Sequence, residues 1–128
     1  MNYKSILIVG GEPNSIFLEI YFKTLKLKKF KNPLILVTSK KLLKLQMKHF
    51  KFKKKIRDLD HNKLHKYHLD NKSINLIDVK YQQKKAFEKI SPKSNVYIGN
   101  CFKIAIKLIN LGVANSFING PISKKKFS

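Results

Sequence analysis

The sequence predicts an α/β fold in three layers, with helices on both faces of a mainly parallel sheet. Short unbroken apolar runs rich in β-branched residues read as strands covered on both sides. Between them lie amphipathic segments of helix length. A strand, a helix and another buried strand in succession imply parallel pairing through a right-handed crossover. The 128 residues make one domain at most, a size that hides roughly two-thirds of the surface of the unfolded chain. A hydrophobic content of 43% excludes wholesale disorder.

The first strand is Ile6 to Val9, ended by Gly10-Gly11. Pro13, Asn14 and Ser15 then supply helix-start chemistry, a fixed φ and a capping oxygen. A helix is expected from Ile16 to about Lys29, with Ile16, Ile20, Leu27 and the pair Phe17 and Tyr21 as its apolar stripe. Pro33 opens a second strand, Leu34 to Val37, and Ser39 caps a helix to about Phe50 with Leu42, Leu43, Leu45, Gln46 and Met47 around its inner face. Lys51 to Lys72 shows no sustained period and reads as a short strand near Ile56 followed by an exposed loop. Ile74 to Val79 is a further strand. Ser91-Pro92 starts a helix in which Cys101, Ala105, Leu108 and Ile109 share one face. Gly112 is its natural stop, and Ser116 to Asn119 forms a last strand running into Gly120-Pro121.

The net charge of +21 comes from 27 lysines and one arginine, Arg57. Proteins that read phosphates or bases lean on Arg, whose planar fork makes bidentate contacts. Lys, Ile, Asn and Phe are abundant while Ala, Gly, Arg and Trp are scarce, the signature of AT-rich codons. Base composition thus explains most of the lysine, and a dedicated nucleic-acid role is disfavoured, although a small basic α/β module for nucleic acid or another polyanion stands as the alternative reading. Cys101 is the one cysteine, so no intrachain disulfide forms and a reducing, cytoplasmic setting is expected. No signal peptide is recognisable. The longest apolar run falls far short of the ~20 residues of a membrane helix, so no membrane partner is expected.

Two loops carry the candidate site. Gly10-Gly11-Glu12-Pro13 lies where a doubly wound fold places its ligand loops, at a strand's carboxyl end facing a helix N-terminus. Neither GxxxxGK[ST] nor GxGxxG is present, and Glu12 at the helix mouth disfavours a direct phosphate cradle. The plain alternative is a strand-to-helix turn. Asn119-Gly120-Pro121-Ile122-Ser123-Lys124 is the second loop, where Gly permits close approach, Pro fixes the turn and Lys124 offers a cation. Its plain alternative is a surface turn before a charged tail. His61, His65 and His68 with Asp58, Asp60 and Asp70 suggest a metal site by type, yet Asn62 stands where HExxH needs its Glu, and no metal ligand is assigned. Cys101, on an apolar helix face, reads as a small buried hydrophobe and not a nucleophile.

Together the two loops resemble a family. Ile8-Val9-Gly10-Gly11-Glu12-Pro13-Asn14-Ser15-Ile16-Phe17-Leu18-Glu19-Ile20 resembles the opening of the 4-hydroxythreonine-4-phosphate dehydrogenases, a strand running into Gly-Glu/Asp-Pro-Ala-Gly-Ile-Gly-Pro-Glu. Phe117-Ile118-Asn119-Gly120-Pro121-Ile122-Ser123-Lys124 resembles that family's Thr-Gly-Pro-Ile-x-Lys strand end. The resemblance implies an isopropylmalate-dehydrogenase-like α/β/α fold of which residues 1–128 are the N-terminal portion. It also implies a homodimer and oxidation of 4-phosphooxy-L-threonine by NAD in vitamin B6 synthesis, with a divalent metal as Lewis acid. Carried over as pocket-loop positions are Gly11, Glu12, Pro13, Glu19, Gly120, Pro121 and Lys124. Ser15, Phe17 and Leu18 replace two glycines and a proline of the pattern. The family's metal-binding histidines and its His-Thr pair match none of the four histidines here, so no catalytic residue is assigned and the chain alone is expected to be inactive.

Overall fold

The computed structural model describes residues 4–11, 13, 15–81 and 92–120. Strands β1 (Ser5–Val9), β2 (Leu34–Thr38), β3 (Ile56–Asp58), β4 (Ile74–Asp78) and β5 (Ala114–Asn119) form one sheet in the order β3-β4-β2-β1-β5. Every pairing is parallel, and the registers set Leu7 beside Ile35 and Phe117, and Val37 beside Ile77. Helices α1 (Phe17–Leu27), α2 (Lys40–His49) and α3 (Pro92–Asn110) supply the crossovers.

Because side chains alternate across a strand, the apolar runs feed two cores. Leu7, Val9, Ile35, Val37 and Ile77 pack with Tyr97, Ile98, Cys101, Ala105 and Leu108 of α3. Ile8, Leu34, Leu36, Ile74 and Leu76 pack on the opposite face with Leu18, Tyr21 and Phe22 of α1 and Leu42, Leu43 and Met47 of α2. The three layers of the sequence reading are therefore present. Each fully buried side chain of this kind contributes roughly 1.5–3 kcal/mol.

The helix ends follow local chemistry. The Ser39 hydroxyl accepts from the Leu42 N–H at 3.1 Å, as a capping residue should. Gly112, with φ of +77°, ends α3, and the bonds Gly112 N–H to Ile109 and Val113 N–H to Leu108 satisfy its last carbonyls. The start of α1 differs from expectation. Its cap position is Ile16, with no side-chain cap, and the Ser15 hydroxyl only approaches the Phe17 N–H, at 3.4 Å. Asn14 lies outside the described residues.

The inner face of α1 also differs. The buried residues are Leu18, Tyr21 and Phe22, while Ile16, Ile20 and Leu27 are exposed, Leu27 by 87%. Phe17 is half-buried against the core and Tyr21 belongs to it, so only part of the expected stripe faces inward. The helix is apolar on more than one side, and the stacking of Phe22 on Phe52, 4.7 Å between centroids, fixes which side turns in.

The stretch after α2 is ordered by hydrogen bonds and not by periodicity. Asp60 and Asp70 each accept from the N–H two residues on, in Asx turns. Arg57 donates to the His68 carbonyl and stacks over Tyr67. One turn of 3₁₀ helix, Leu64–Lys66, buries Leu64 against the α3 core. Asn71 accepts from the Leu34 N–H and donates to the Phe30 and Asn32 carbonyls. Asn75, buried in β4, donates to the Leu34 and Asp70 carbonyls. These two side chains fix the entry to β2.

The burial pattern of α1 is directly testable. Leu27→Ser should change the urea-unfolding free energy by no more than about 0.5 kcal/mol, whereas Leu18→Ala should cost about 2–5 kcal/mol. Equal costs would mean that α1 is rotated from the orientation described.

Candidate functional site

The strand order reverses at β1, with β2 on one side and β5, reached from β4 through α3, on the other. Open α/β sheets bind ligands outside the carboxyl ends of their strands at such a reversal. Here Gly10 and Gly11 leave β1 and Gly120 leaves β5 at the same end of the sheet. The ladder runs one residue past the strands: the Gly10 N–H donates to the Val37 carbonyl at 3.1 Å and the Gly120 N–H to the Val9 carbonyl at 2.8 Å.

These glycines pack on one another. A Cβ on Gly11 would stand 2.7 Å from the carbonyl carbon of Gly120, and Gly11 has φ of +71°. A Cβ on Gly120 would stand 2.5 Å from the Gly10 oxygen and 2.9 Å from the Phe17 ring. A Cβ on Gly10 would meet the Thr38 hydroxyl at 2.6 Å. The absent side chains therefore let the ends of β1, β2 and β5 and the first turn of α1 converge, so the glycines serve strand-end packing where the sequence suggested ligand approach.

Of the sequence-derived candidates, Gly11 and Gly120 meet in this seam. Pro13 is buried, and its carbonyl accepts from Gln46 Nε2 at 3.3 Å, which ties the loop to α2. Glu19 lies in the first turn of α1, where the helix dipole favours an acid. It pairs with Lys23 at 3.0 Å on the surface. Glu12, Pro121 and Lys124 lie outside the described residues.

Sequence reasoning missed a polar cluster beside the seam. The buried Tyr97 hydroxyl accepts from the Ser39 N–H at 2.8 Å and shares a hydrogen bond with the Thr38 hydroxyl at 2.7 Å. Burial, with Cys101 adding to it, holds the phenol well above its ordinary range despite these two bonds, so it stays protonated. The Lys40 N–H donates to Asp78 Oδ1 at 2.8 Å, and Asp78 also pairs with Lys80. Protein groups thus already take the amides of Ser39, Lys40 and Leu42. Beyond them a cavity of about 430 Å³ is lined by Ser39, Lys40, Lys41, Lys44, Asp78, Lys80 and Tyr81. The signal in the sequence was a lone tyrosine on an otherwise apolar helix face, opposite a Thr-Ser strand end.

Among the described residues no three of His, Cys, Asp and Glu come together as a metal site. His65, His68, Asp58 and Asp60 are exposed, and Asp60 and Asp70 are engaged in their turns. Burial pushes the Cys101 thiol from 9.0 up to about 12, opposed only partly by Tyr97, so it is not a thiolate nucleophile at neutral pH.

No protein-family model matches the chain, and no curated protein matches it either. Solved structures do. A 4-hydroxythreonine-4-phosphate dehydrogenase from Burkholderia phymatum superposes with a TM-score of 0.79 over 99% of this chain at 17% identity. One from Klebsiella pneumoniae superposes with a TM-score of 0.80 over 97% of the chain at 20% identity. The fold is that of the 4-hydroxythreonine-4-phosphate dehydrogenases. At these identities the likeness is one of fold, and the chain spans 39% of the length of each of those dehydrogenases. The α/β/α architecture expected from the two loop motifs is thereby established.

Two measurements test this geometry. Gly120→Ala should destabilise the protein by about 1–3 kcal/mol through overpacking. Gly99→Ala, in α3 with no atom within 4 Å of the added methyl, should stabilise by roughly 0.5–1 kcal/mol. If both changes were neutral, the seam would not be close-packed. The Cys101 shift has a pH signature. Its raised folded value means that its contribution is complete below pH 9.0 and is lost as pH rises toward about 12, because only the unfolded chain ionises there. Relative to Cys101→Ala, the parent should lose up to about 1.4 kcal/mol per pH unit in that window. Parallel pH profiles would contradict the burial.

Proposed function

We propose that this chain is the leading α/β portion of a 4-hydroxythreonine-4-phosphate dehydrogenase. In this reading it belongs to a cytoplasmic oxidoreductase that oxidises 4-phosphooxy-L-threonine with NAD as hydride acceptor, and it forms one wall of the substrate pocket. One observation supports this most. The two segments that carry the sequence resemblance meet in space, through contacts that only glycine permits at Gly11 and Gly120. Chance matches to two short patterns carry no requirement that the segments touch. The similarity of fold to dehydrogenases of that name supports the same reading.

The roles follow from position. Gly11, Pro13 and Gly120 set a rigid floor at the carboxyl edge of the sheet. Glu12, Pro121 and Lys124 are assigned to the pocket wall, with Lys124 the cation suited to a phosphate. The described residues do not fit a divalent metal, so no step is routed through one, and no general acid or base is assigned. In this proposal the wall binds and orients while the chemistry is completed by groups outside this chain, in a homodimeric enzyme with sites between domains and subunits. Without that opposing wall, water screens any electrostatic stabilisation toward its weak aqueous value.

Residues 1–128 alone should give no NAD reduction above background with 4-phosphooxy-L-threonine and an added divalent metal. Turnover abolished by chelation would mean that the chemistry lies within this chain after all. Titration of the isotopically labelled protein with 4-phosphooxy-L-threonine should shift the backbone amides of Gly11 and Gly120. Shifts confined to the lysines of α2, with these glycines unmoved, would remove the loops from the pocket.

A further inference from the structure

The lysines are not spread evenly over the three layers. From Ile20 to Arg57 the chain holds 13 lysines and Arg57 and no aspartate or glutamate, whereas Pro92 to Gly120 holds three lysines. The first stretch holds α1 beyond Glu19, all of α2, β2 and the loops between them, so its lysines fall mainly on the layer covering one face of the sheet. Codon bias accounts for the number of lysines. It does not account for their concentration on one layer.

Within that layer a groove of about 440 Å³ runs beside α2. Its cationic lining is Lys40, Lys44, Lys53 and Lys54, and Met47, Phe52 and Ile56 form its apolar floor. Lys26 of α1 stands over the Phe52 ring, 5.7 Å from its centre, so α1 adds a cation at the same place. All 13 lysines are exposed except Lys40 and Lys54, and both of those line the groove. Among the described residues two carboxylates lie near: Asp58 pairs with Lys40 at 2.7 Å, and Asp78 accepts from the Lys40 N–H and pairs with Lys80. Among the described residues Lys44, Lys53 and Lys54 have no carboxylate partner.

We propose that this groove and the surrounding α1–α2 surface bind the phosphate backbone of a single nucleic-acid strand. A cluster of ammonium groups around one groove suits a chain of phosphates. Lysine neutralises them as a point charge and needs no fixed fork geometry, so recognition is of charge and not of base sequence. A single strand is flexible enough to follow the lysines along this open groove, with the half-buried Ile56 as its apolar contact. The binding is independent of the oxidoreductase reading and uses none of its pocket residues.

The test is fluorescence anisotropy with a fluorescein-labelled 20-nucleotide oligothymidylate across a salt series. One triple variant carries Lys44→Glu, Lys53→Glu and Lys54→Glu. A control of equal net charge carries Lys63→Glu, Lys66→Glu and Lys103→Glu, exposed positions on α3 and on the 3₁₀ turn that packs against its core. Lys→Gln versions of both sets, with unfolding midpoints measured for each protein, separate weakened binding from weakened folding. The groove variants should weaken binding tenfold or more, and the slope of log K against log salt should fall by about 0.7 for each phosphate no longer neutralised. The control should change affinity less than threefold. Equal losses in the two sets would overturn the proposal, because net charge alone would then be responsible. Polyglutamate of the same charge that binds as tightly, with the same dependence on the groove lysines, would overturn it in favour of an acidic protein partner.

Discussion

Burial of the central sheet on both faces is the constraint from which the rest of the structure follows. Leu7, Val9, Ile35 and Val37 turn toward α3 while Ile8, Leu34 and Leu36 turn toward α1 and α2, and all seven are buried. Neither face of β1 or β2 tolerates water, so helices must cover both and the connections must cross over, which forces parallel pairing. The polar residues on these strands are then obliged to find partners inside the protein. On β2 Thr38 takes the Tyr97 hydroxyl; on β4 Asn75 donates to two carbonyls, while its buried Oδ1 has no partner among the described residues. The lysines have nowhere to go but the outer surfaces of the helix layers.

The same constraint decides what was legible in the sequence. A strand buried on both sides is an unbroken apolar run, and such runs at 6–9 and 34–37 marked two strands directly, while 74–79, interrupted by Asn75 and Asp78, marked a third. The inner face of α2 was legible because its lysines leave one apolar stripe. In α1 they do not. Ile16, Phe17, Leu18, Ile20, Tyr21, Phe22, Leu25 and Leu27 cover most of the circumference, so helical period alone offers two competing stripes. The choice between them is tertiary, made by Phe52 and by the spacing of α1 from α2. Position within the sheet was not legible either. The run at 116–119 resembles the others locally, yet Phe117 and Ile118 are exposed by 40% and 56% because β5 pairs only with β1 among the described strands. In the stretch from 51 to 72 the short strand near Ile56 was read and is β3, but the rest escaped reading because Asx turns, a cation over a ring and two asparagine bridges have no period.

At the candidate site the residue types were legible and their use was not. Glycine at a strand end permits close approach, but a sequence does not say what approaches. Here another backbone does: Gly120 fills the space that a Gly11 side chain would need, and Gly10 the space that a Gly120 side chain would need. The seam fixes the relative position of segments more than a hundred residues apart in the chain. A pocket built from the loops that leave it starts from a rigid base, which serves binding better than two independently mobile loops would. Tyr97 extends that rigidity on the other side of β1. Its phenol stays protonated, and it bonds the last residue of β2 and the cap of α2 at once.

Charge is the remaining term, and it opposes the fold. Lysines gathered on one layer repel one another, and a compact state gathers that repulsion more than an unfolded chain does. At physiological ionic strength the screening length is about 8 Å, so lysines on opposite layers scarcely interact. Neighbours around the groove still do. Ion pairs offset little of this. Lys23 with Glu19 is an exposed pair within one helix, and Lys40 with Asp58 is partly exposed, each a modest contribution. A layer whose own carboxylates leave most of its charge uncompensated attracts counterions, and a bound polyanion releases them. The energetic penalty carried by the α1–α2 layer in isolation is therefore the source of the affinity expected of it.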